Sequence, residues 1–323
     1  MDIILEDYNG SSFHGDCSAP HTNFASLNFY WEEKIENGRG SCAVRGVVMS
    51  SGVREAGFRW REKMSKAKRI VVKVGTRTLA NSRSKFDPTK VGKLVEETMK
   101  LRARGKEIII VSSGAIGAGV GRLNLRSRPK EMPSLQAAAA VGQGILMQVY
   151  SKYFGEYEQP VAQMLLTGED LTDSRRYHNF KNTLVTLLRW GVVPVVNEND
   201  SVEIEEIRLG DNDTLSAHVA VGSNADLLVI LSDVGGLYRG YRGKKRQGEL
   251  IRIVDRITPE LEKLANKKFE GFGGMLTKIR AAEIATKAGI PVVIANGSQK
   301  NVLEKVISGK EVGTLFLPRR RKR

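Results

Sequence analysis

Lys73 stands inside the apolar run "RIVVKVG" (69–75), where a lysine is unexpected. A second lysine, Lys278, lies in "GFGGMLTKIRAAEIATKAG", a Gly-rich turn that runs into a helix. Between them, "NENDSVEIEEIRLGDNDTLS" (197–216) follows the apolar run "GVVPVV" and carries two Asn/Asp clusters. These are Asn197-Glu198-Asn199-Asp200 and Asp211-Asn212-Asp213. A further Gly-rich stretch, "VSSGAIGAGVG" (111–121), follows another apolar run. Its glycines let backbone amides approach an anion closely, and a helix start favours negative charge. The chain offers no Cys nucleophile and no Ser-His-Asp spacing. Two lysines, two Gly-rich turns and several Asp/Asn groups suit phosphoryl transfer, which asks mainly for positioning and charge stabilisation. Clustered carboxylates are costly unless something cationic meets them, such as a lysine, a metal or the ammonium of an acceptor.

Each signal also has a plainer reading. The Asn/Asp clusters suit a polar surface loop. "VSSGAIGAGVG" suits a plain tight turn and is neither a Walker A loop nor the dinucleotide fingerprint, and "GFGGMLTK" suits an ordinary glycine-started helix with a surface lysine. Lys73 suits a solvent-facing edge strand.

The elements around these residues favour one shared site. "RIVVKVG" (69–75), "EIIIVS" (107–112), "VAQMLL" (161–166), "VVPVVN" (192–197), "LLVILS" (227–232), "PVVIAN" (291–296) and "VGTLFL" (312–317) read as short buried strands. Helices are expected between them: from N-cap Asp87 and Pro88 to a stop at Gly105, over "LQAAAAVGQGILMQVYSKYF", and around 174–190, 213–222 and 276–288. Alternation of this kind predicts an α/β fold, a three-layer αβα sandwich with a mostly parallel open sheet, over residues 67–317. "YRGYRGKKRQGELIRIV" reads as an exposed turn or hairpin. Ligands of open sheets bind beyond the carboxyl ends of the strands, and Lys73, Ser112 to Gly121, the Asn/Asp clusters and Ser232-Asp233 all fall there.

Residues 1–66 read differently. They are rich in Ser, Gly and Asn, show little periodicity and hold both cysteines, Cys17 and Cys42. Met64 opens "MSKAKRIVVKVG", which looks like a protein start. A loosely ordered extension or a start assigned too far upstream is expected. His14, Cys17 and His21 match no zinc spacing.

The balance of 51 Lys+Arg against 36 Asp+Glu gives a formal charge of +15, and the tail "RRRKR" (319–323) is locally basic. That fits solubility with a basic tail or a polyanionic partner. Aromatic residues interleaved on a basic face, which single-strand binders use, are missing, so nucleic acid is not expected. The opening residues lack a signal-peptide pattern, no stretch approaches the ~20 apolar residues that span a bilayer, and cysteine is scarce. A cytoplasmic location off the membrane is the expectation.

Taken in order, "VVKVGT", "VSSGAIGAG", "AAVGQGILMQ", "VAQMLLT", "VVPVVNENDSV", "GDNDTLSAHVA", "LLVILSDVGGLY", "GGMLTK" and "VGTLF" resemble the amino acid kinase family. "NEND", "GDND" and the Ser-Asp before "GLY" resemble its glutamate-phosphorylating branch most closely. The resemblance implies ATP-dependent phosphorylation of the γ-carboxylate of L-glutamate to L-glutamyl 5-phosphate, the first step of proline biosynthesis. It implies that Lys73 and Lys278 flank the transferring phosphoryl and that Asp213 orients them. Ser113, Asp200 and Asn212 would hold glutamate, with Asn197 and Asp211 in support. Lys73, Ser232, Asp233 and the run Gly273, Gly274, Met275, Leu276, Thr277 and Lys278 would contact ATP, with Mg2+ but no metal site of the protein's own. A homo-oligomer, feedback inhibition by proline and functional coupling to glutamyl phosphate reductase are also implied. Many bacterial members carry a C-terminal domain resembling RNA-modification (PUA) modules, and none is expected here. Phe272 stands where a small or hydroxyl residue is common. The rival acceptors within the fold are aspartate, N-acetylglutamate and a nucleoside monophosphate. A binding protein that has kept the fold is the rival from another class.

Overall fold

The computed structural model describes residues 2–6, 12–16, 23–24, 27–36, 39–49, 51–81, 85–202, 212–239, 248–266 and 274–319. The chain divides into two compact units, Met1–Phe58 and Arg59–Arg323. In the first, β1 (Asp2–Glu6) pairs antiparallel with β2 (Ser12–Asp16). β3 (Asn23–Phe24), β4 (Leu27–Glu36) and β5 (Arg39–Met49) form a second antiparallel sheet. α1 (Ser51–Met64) follows.

The second unit holds the sheet that the sequence predicts. Its strands are β6 (Arg69–Val74), β7 (Glu107–Ser112), β8 (Val161–Leu166), β9 (Val193–Glu198) and β10 (Leu227–Ser232). β11 (Ile253–Val254), β12 (Val292–Asn296) and β13 (Thr314–Phe316) complete it. The order is β11-β13-β12-β10-β6-β7-β9-β8, parallel except for the β12–β13 pair. Val/Ile/Leu runs that are buried on both faces require helices on both sides of such a sheet.

One side carries α2 (Pro88–Arg102), α3 (Ala115–Arg122), α4 (Met132–Gly155) and α10 (Val302–Ile307). The other carries α6 (Ser174–Arg189), α7 (Asn212–Gly222), α8 (Pro259–Asn266) and α9 (Met275–Lys287), with the short α5 (Gly168–Thr172) ahead of α6. On that second side Val71, Ile109, Val111, Val196, Ile230 and Ile294 pack against Leu215, Val219, Ile279 and Ala282. Strand alternation puts Lys73 on the same face as Val71, under α7. β6 is central, between β10 and β7, and Lys73 pairs in register with Ile230 and Val111. The edge-strand alternative for this lysine is therefore removed.

Two boundaries differ from expectation. "AIGAGVGR" is helical from Ala115 rather than a loop, because Gly114 at φ 119° turns the chain immediately after β7. α2 ends at Arg102, and Gly105 turns at φ 75° three residues later. The Asp87 cap is present: its Oδ1 accepts from Thr89 N at 3.0 Å. The expected hairpin after Tyr238 is represented by an antiparallel bridge between Tyr238 and Leu250, while residues 240–247 lie outside the described residues.

The small residues of α3 and α4 permit a very close crossing. A Cβ added to Gly119 would stand 1.8 Å from the Ala138 carbonyl oxygen, and one on Gly142 would stand 1.8 Å from that of Ala115. Gly142→Ala therefore has to push two backbones apart. A loss of about 1–3 kcal/mol or more is expected, as for other overpacked cores. Thermal unfolding checks it: a melting temperature unchanged within a degree would contradict the crossing.

Candidate active site

Lys73, Asp213 and Lys278 meet at the carboxyl end of the central strands. Lys73 comes from the end of β6, Asp213 from the first turn of α7 and Lys278 from the first turn of α9. Lys73 Nζ lies 2.6 Å from Asp213 Oδ1, and Lys278 Nζ lies 2.9 Å from Oδ2. Relative exposure is 2% for Lys73, 0% for Asp213 and 5% for Lys278. Burial pushes the Asp213 carboxyl upward, but the two lysines together outweigh it and hold the group well below the usual carboxylate range. Taken by themselves, two ammoniums and one carboxylate sum to one positive charge over these three buried side chains.

Thr277 adds to this cluster. Its hydroxyl lies 2.9 Å from Asp213 Oδ2 and 2.8 Å from the Gly274 carbonyl, and its single proton serves one acceptor at a time. Gly274 precedes α9 in an extended conformation, and Met275, Leu276 and Thr277 open the helix half-buried. A helix start of this kind directs unpaired amides and a partial positive charge outward.

One residue before Asp213, Asn212 anchors a second, neutral network. Its Nδ2 donates to Ser113 Oγ and to Asn197 Oδ1, both at 2.9 Å, and its Oδ1 accepts from Glu198 N at 3.3 Å. Asn197 Nδ2 in turn donates to Gln143 Oε1 at 2.8 Å. Below Ser113, Tyr150 donates to Ser112 Oγ at 2.9 Å, and burial raises the phenol's pKa, so it stays a donor. The adjacent positions 212 and 213 thus tie the amide network to the charged cluster through one helix turn.

Asp200 sits half-buried in the turn after β9. Ser232 ends β10 and Asp233 follows it. Ser232 Oγ donates to Asp233 Oδ1 at 3.1 Å, and Arg77 holds Asp233 Oδ2 at 3.2 Å. Asp211, Phe272 and Gly273 lie outside the described residues, as do Cys17, His21 and 320–323 of the basic tail.

Three contributors went unassigned in the sequence: Gln143, Tyr150 and Arg77. The first two did leave a signal. They are among the few polar side chains in a helical stretch that carries no charge from Met132 to Ser151, where a polar group needs a partner. Arg77 left none.

Two buried ammoniums around one carboxylate stand at the carboxyl edge of an open α/β sheet, where such sheets bind ligands, and their charge suits a phosphoryl group. Residues 68–296 match the amino acid kinase family, and the chain belongs to that family. It is 50% identical over 258 residues to a glutamate 5-kinase of Moorella thermoacetica, covering 79% of this chain and 68% of that protein. It is 47% identical over 262 residues to a glutamate 5-kinase of Clostridium acetobutylicum, covering 80% and 98%. Among solved structures, the fold matches carbamate kinase from Giardia lamblia bound to AMP-PNP with a TM-score of 0.57 at 17% identity, over 78% of this chain and 99% of that one. UMP kinase from Bacillus anthracis matches with a TM-score of 0.55 at 14% identity, over 79% and 97%. Among the described residues, no helix is long and apolar enough to cross a membrane.

Proposed function

We propose that this member of the family acts as a glutamate 5-kinase through the Lys73–Asp213–Lys278 cluster. It uses ATP to phosphorylate the γ-carboxylate of L-glutamate, giving L-glutamyl 5-phosphate and ADP, the first step of proline biosynthesis. The observation that carries the site reading is the buried cluster with one net positive charge, joined through α7 to the Asn212–Ser113–Asn197 network.

A carboxylate oxygen of glutamate attacks the terminal phosphorus of ATP, an O–P bond forms, and the bond to the bridging oxygen breaks. No proton has to move, because the attacking carboxylate is already ionised. Lys73 and Lys278 neutralise the oxygens around the transferring group, and Asp213 keeps both ammoniums aimed inward. Ser113 presents its hydroxyl proton and Asn212 the remaining lone pair of its amide oxygen to the acceptor, and Asp200 is the partner for its ammonium. Ser232, Asp233 and the Gly274–Lys278 segment face the nucleotide, and Gly273 belongs to the same run of the sequence. The described residues hold no group of three His, Cys, Asp or Glu with metal-ligand geometry. Mg2+ would be carried by the triphosphate and would supply charge neutralisation there, as is usual for this ion.

A homo-oligomer, competition by proline near the acceptor site, and delivery of the labile acyl phosphate to glutamyl phosphate reductase complete the reading. The chemistry of an acyl phosphate, which hydrolyses readily, supports the last.

The test is ADP formation with MgATP and L-glutamate, aspartate, N-acetylglutamate, UMP or no acceptor. Glutamate-dependent release, trapped as the hydroxamate, is expected. Turnover with another acceptor alone would overturn the substrate. Gln143→Leu gives a sharper check on the amide network. It keeps the volume but leaves buried Asn197 Nδ2 without its acceptor, a penalty of about 1–3 kcal/mol. The KM for glutamate is expected to rise about 10-fold while the KM for ATP stays unchanged; equal changes in both would contradict the assignment.

A further inference from the structure

A cleft of about 750 Å³ opens between Thr76, Arg77, Ala80, Asn81 and Lys85, after β6, and the face of α3 that continues into residues 124–128. Its rim carries four cations, Arg77, Lys85, Arg126 and Arg128, and no carboxylate appears among its described lining residues. Its floor is apolar, with Ile116 and Val120 from α3. None of the groups assigned to glutamate lines it. Lys85 and Arg126 have no carboxylate partner among the described residues, and like charges gathered without one raise each other's energy until an anion arrives. The volume falls in the range of small-ligand sites, and an apolar floor under a charged rim is their usual make-up. No aromatic residue lines it for stacking successive bases, which argues against a nucleic-acid strand.

We propose that this cleft is a second anion site, separate from the Lys73–Asp213–Lys278 cluster, that takes a small phosphorylated compound and couples its binding to the nucleotide side through Arg77. The coupling rests on one contact. Arg77 lines the cleft and also pairs with Asp233 at 3.2 Å, with side-chain exposures of 69% and 42%. Exposed pairs of this kind are weak and exchange readily. A phosphate in the cleft offers Arg77 a bidentate, doubly charged partner in place of Asp233. Occupancy then frees Asp233, which the proposed function places against ATP. The site itself stands on the cleft alone; only the coupling depends on that placement.

The experiment titrates the full chain, saturated with a non-hydrolysable ATP analogue and glutamate, with pyrophosphate in one arm and AMP in the other, by calorimetry. Saturation removes the nucleotide site from the readout. One further binding event is expected, and binding of AMP tighter than pyrophosphate would assign the apolar floor to a nucleoside. Lys85→Ala/Arg126→Ala is expected to weaken it at least ~10-fold, the size of one lost charge-assisted hydrogen bond, with ADP formation in the absence of probe unchanged. In Arg77→Ala the probe is expected to lose its effect on the KM for ATP. Absence of binding in both arms, or binding untouched by the double variant, overturns the site. Binding with a KM for ATP that the probe never moves overturns the coupling. Failure of glutamate turnover would leave the calorimetric result intact, so the two readings fail separately.

Discussion

Lys73→Met is expected to lower turnover at least ~100-fold, the cost typical of losing one preorganised charge donor in a water-excluded site. The reason is the charge count. Lys73 and Lys278 share one carboxylate, so the intact cluster keeps one positive charge for the phosphoryl oxygens. Methionine leaves Lys278 and Asp213 as a balanced pair, and the attraction for the developing charge is gone. Methionine also fills most of the lysine volume in an apolar strand and leaves Asp213 still paired, so the fold is expected to survive. Lys278→Met carries the same expectation from the other side of the carboxylate. The measurement is glutamate-dependent ADP release beside thermal unfolding of each variant. Near-normal turnover in both would remove the cluster from the mechanism, whereas loss of folding in one would be read against the other.

How far such a cluster can be seen in a sequence depends on where its partners come from. Lys73 was conspicuous because a charge interrupts "RIVVKVG", and strand alternation alone places it on the side of Val71. The sheet was equally legible, since its strands are continuous β-branched runs whose bounds shift by only one or two residues. Asp213 stood out only as part of a polar cluster; that it would touch lysines 140 and 65 positions away could not be read from spacing. The roles given to it came from the family resemblance. α3 was hidden by its glycines, which read as a loop until α4 is known to need their missing Cβ atoms. The N-terminal boundary of the α/β unit was also hidden. Arg61 is buried and donates to the carbonyls of Lys310 and Arg252, partners 249 and 191 residues away, so helix α1 enters this unit before residue 67. The strands of the first unit left almost no periodic signal.

Asp213→Asn tests the opposite half of the same electrostatic argument and should cost both activity and stability. The amide carries no charge to set against the two buried ammoniums, which then repel each other more strongly. Breaking a buried ion cluster in this way typically costs about 3–5 kcal/mol, and turnover should fall with it because neither lysine is held in place. The pH dependence gives the sign. In the native protein the two lysines hold the Asp213 carboxyl below its unfolded value of 3.8. Its contribution is therefore complete above that pH and is lost progressively as the pH falls below it toward the depressed folded value. Urea unfolding at pH 7 should show the full gap between the native chain and Asp213→Asn. The gap should narrow as the pH is taken below 3.8, because the unfolded wild-type chain takes up a proton at Asp213 that the folded cluster still excludes, which lowers its stability toward that of the variant. A gap that stays constant, or widens, as the carboxylate is titrated would mean that Asp213 is not the counter-ion of Lys73 and Lys278.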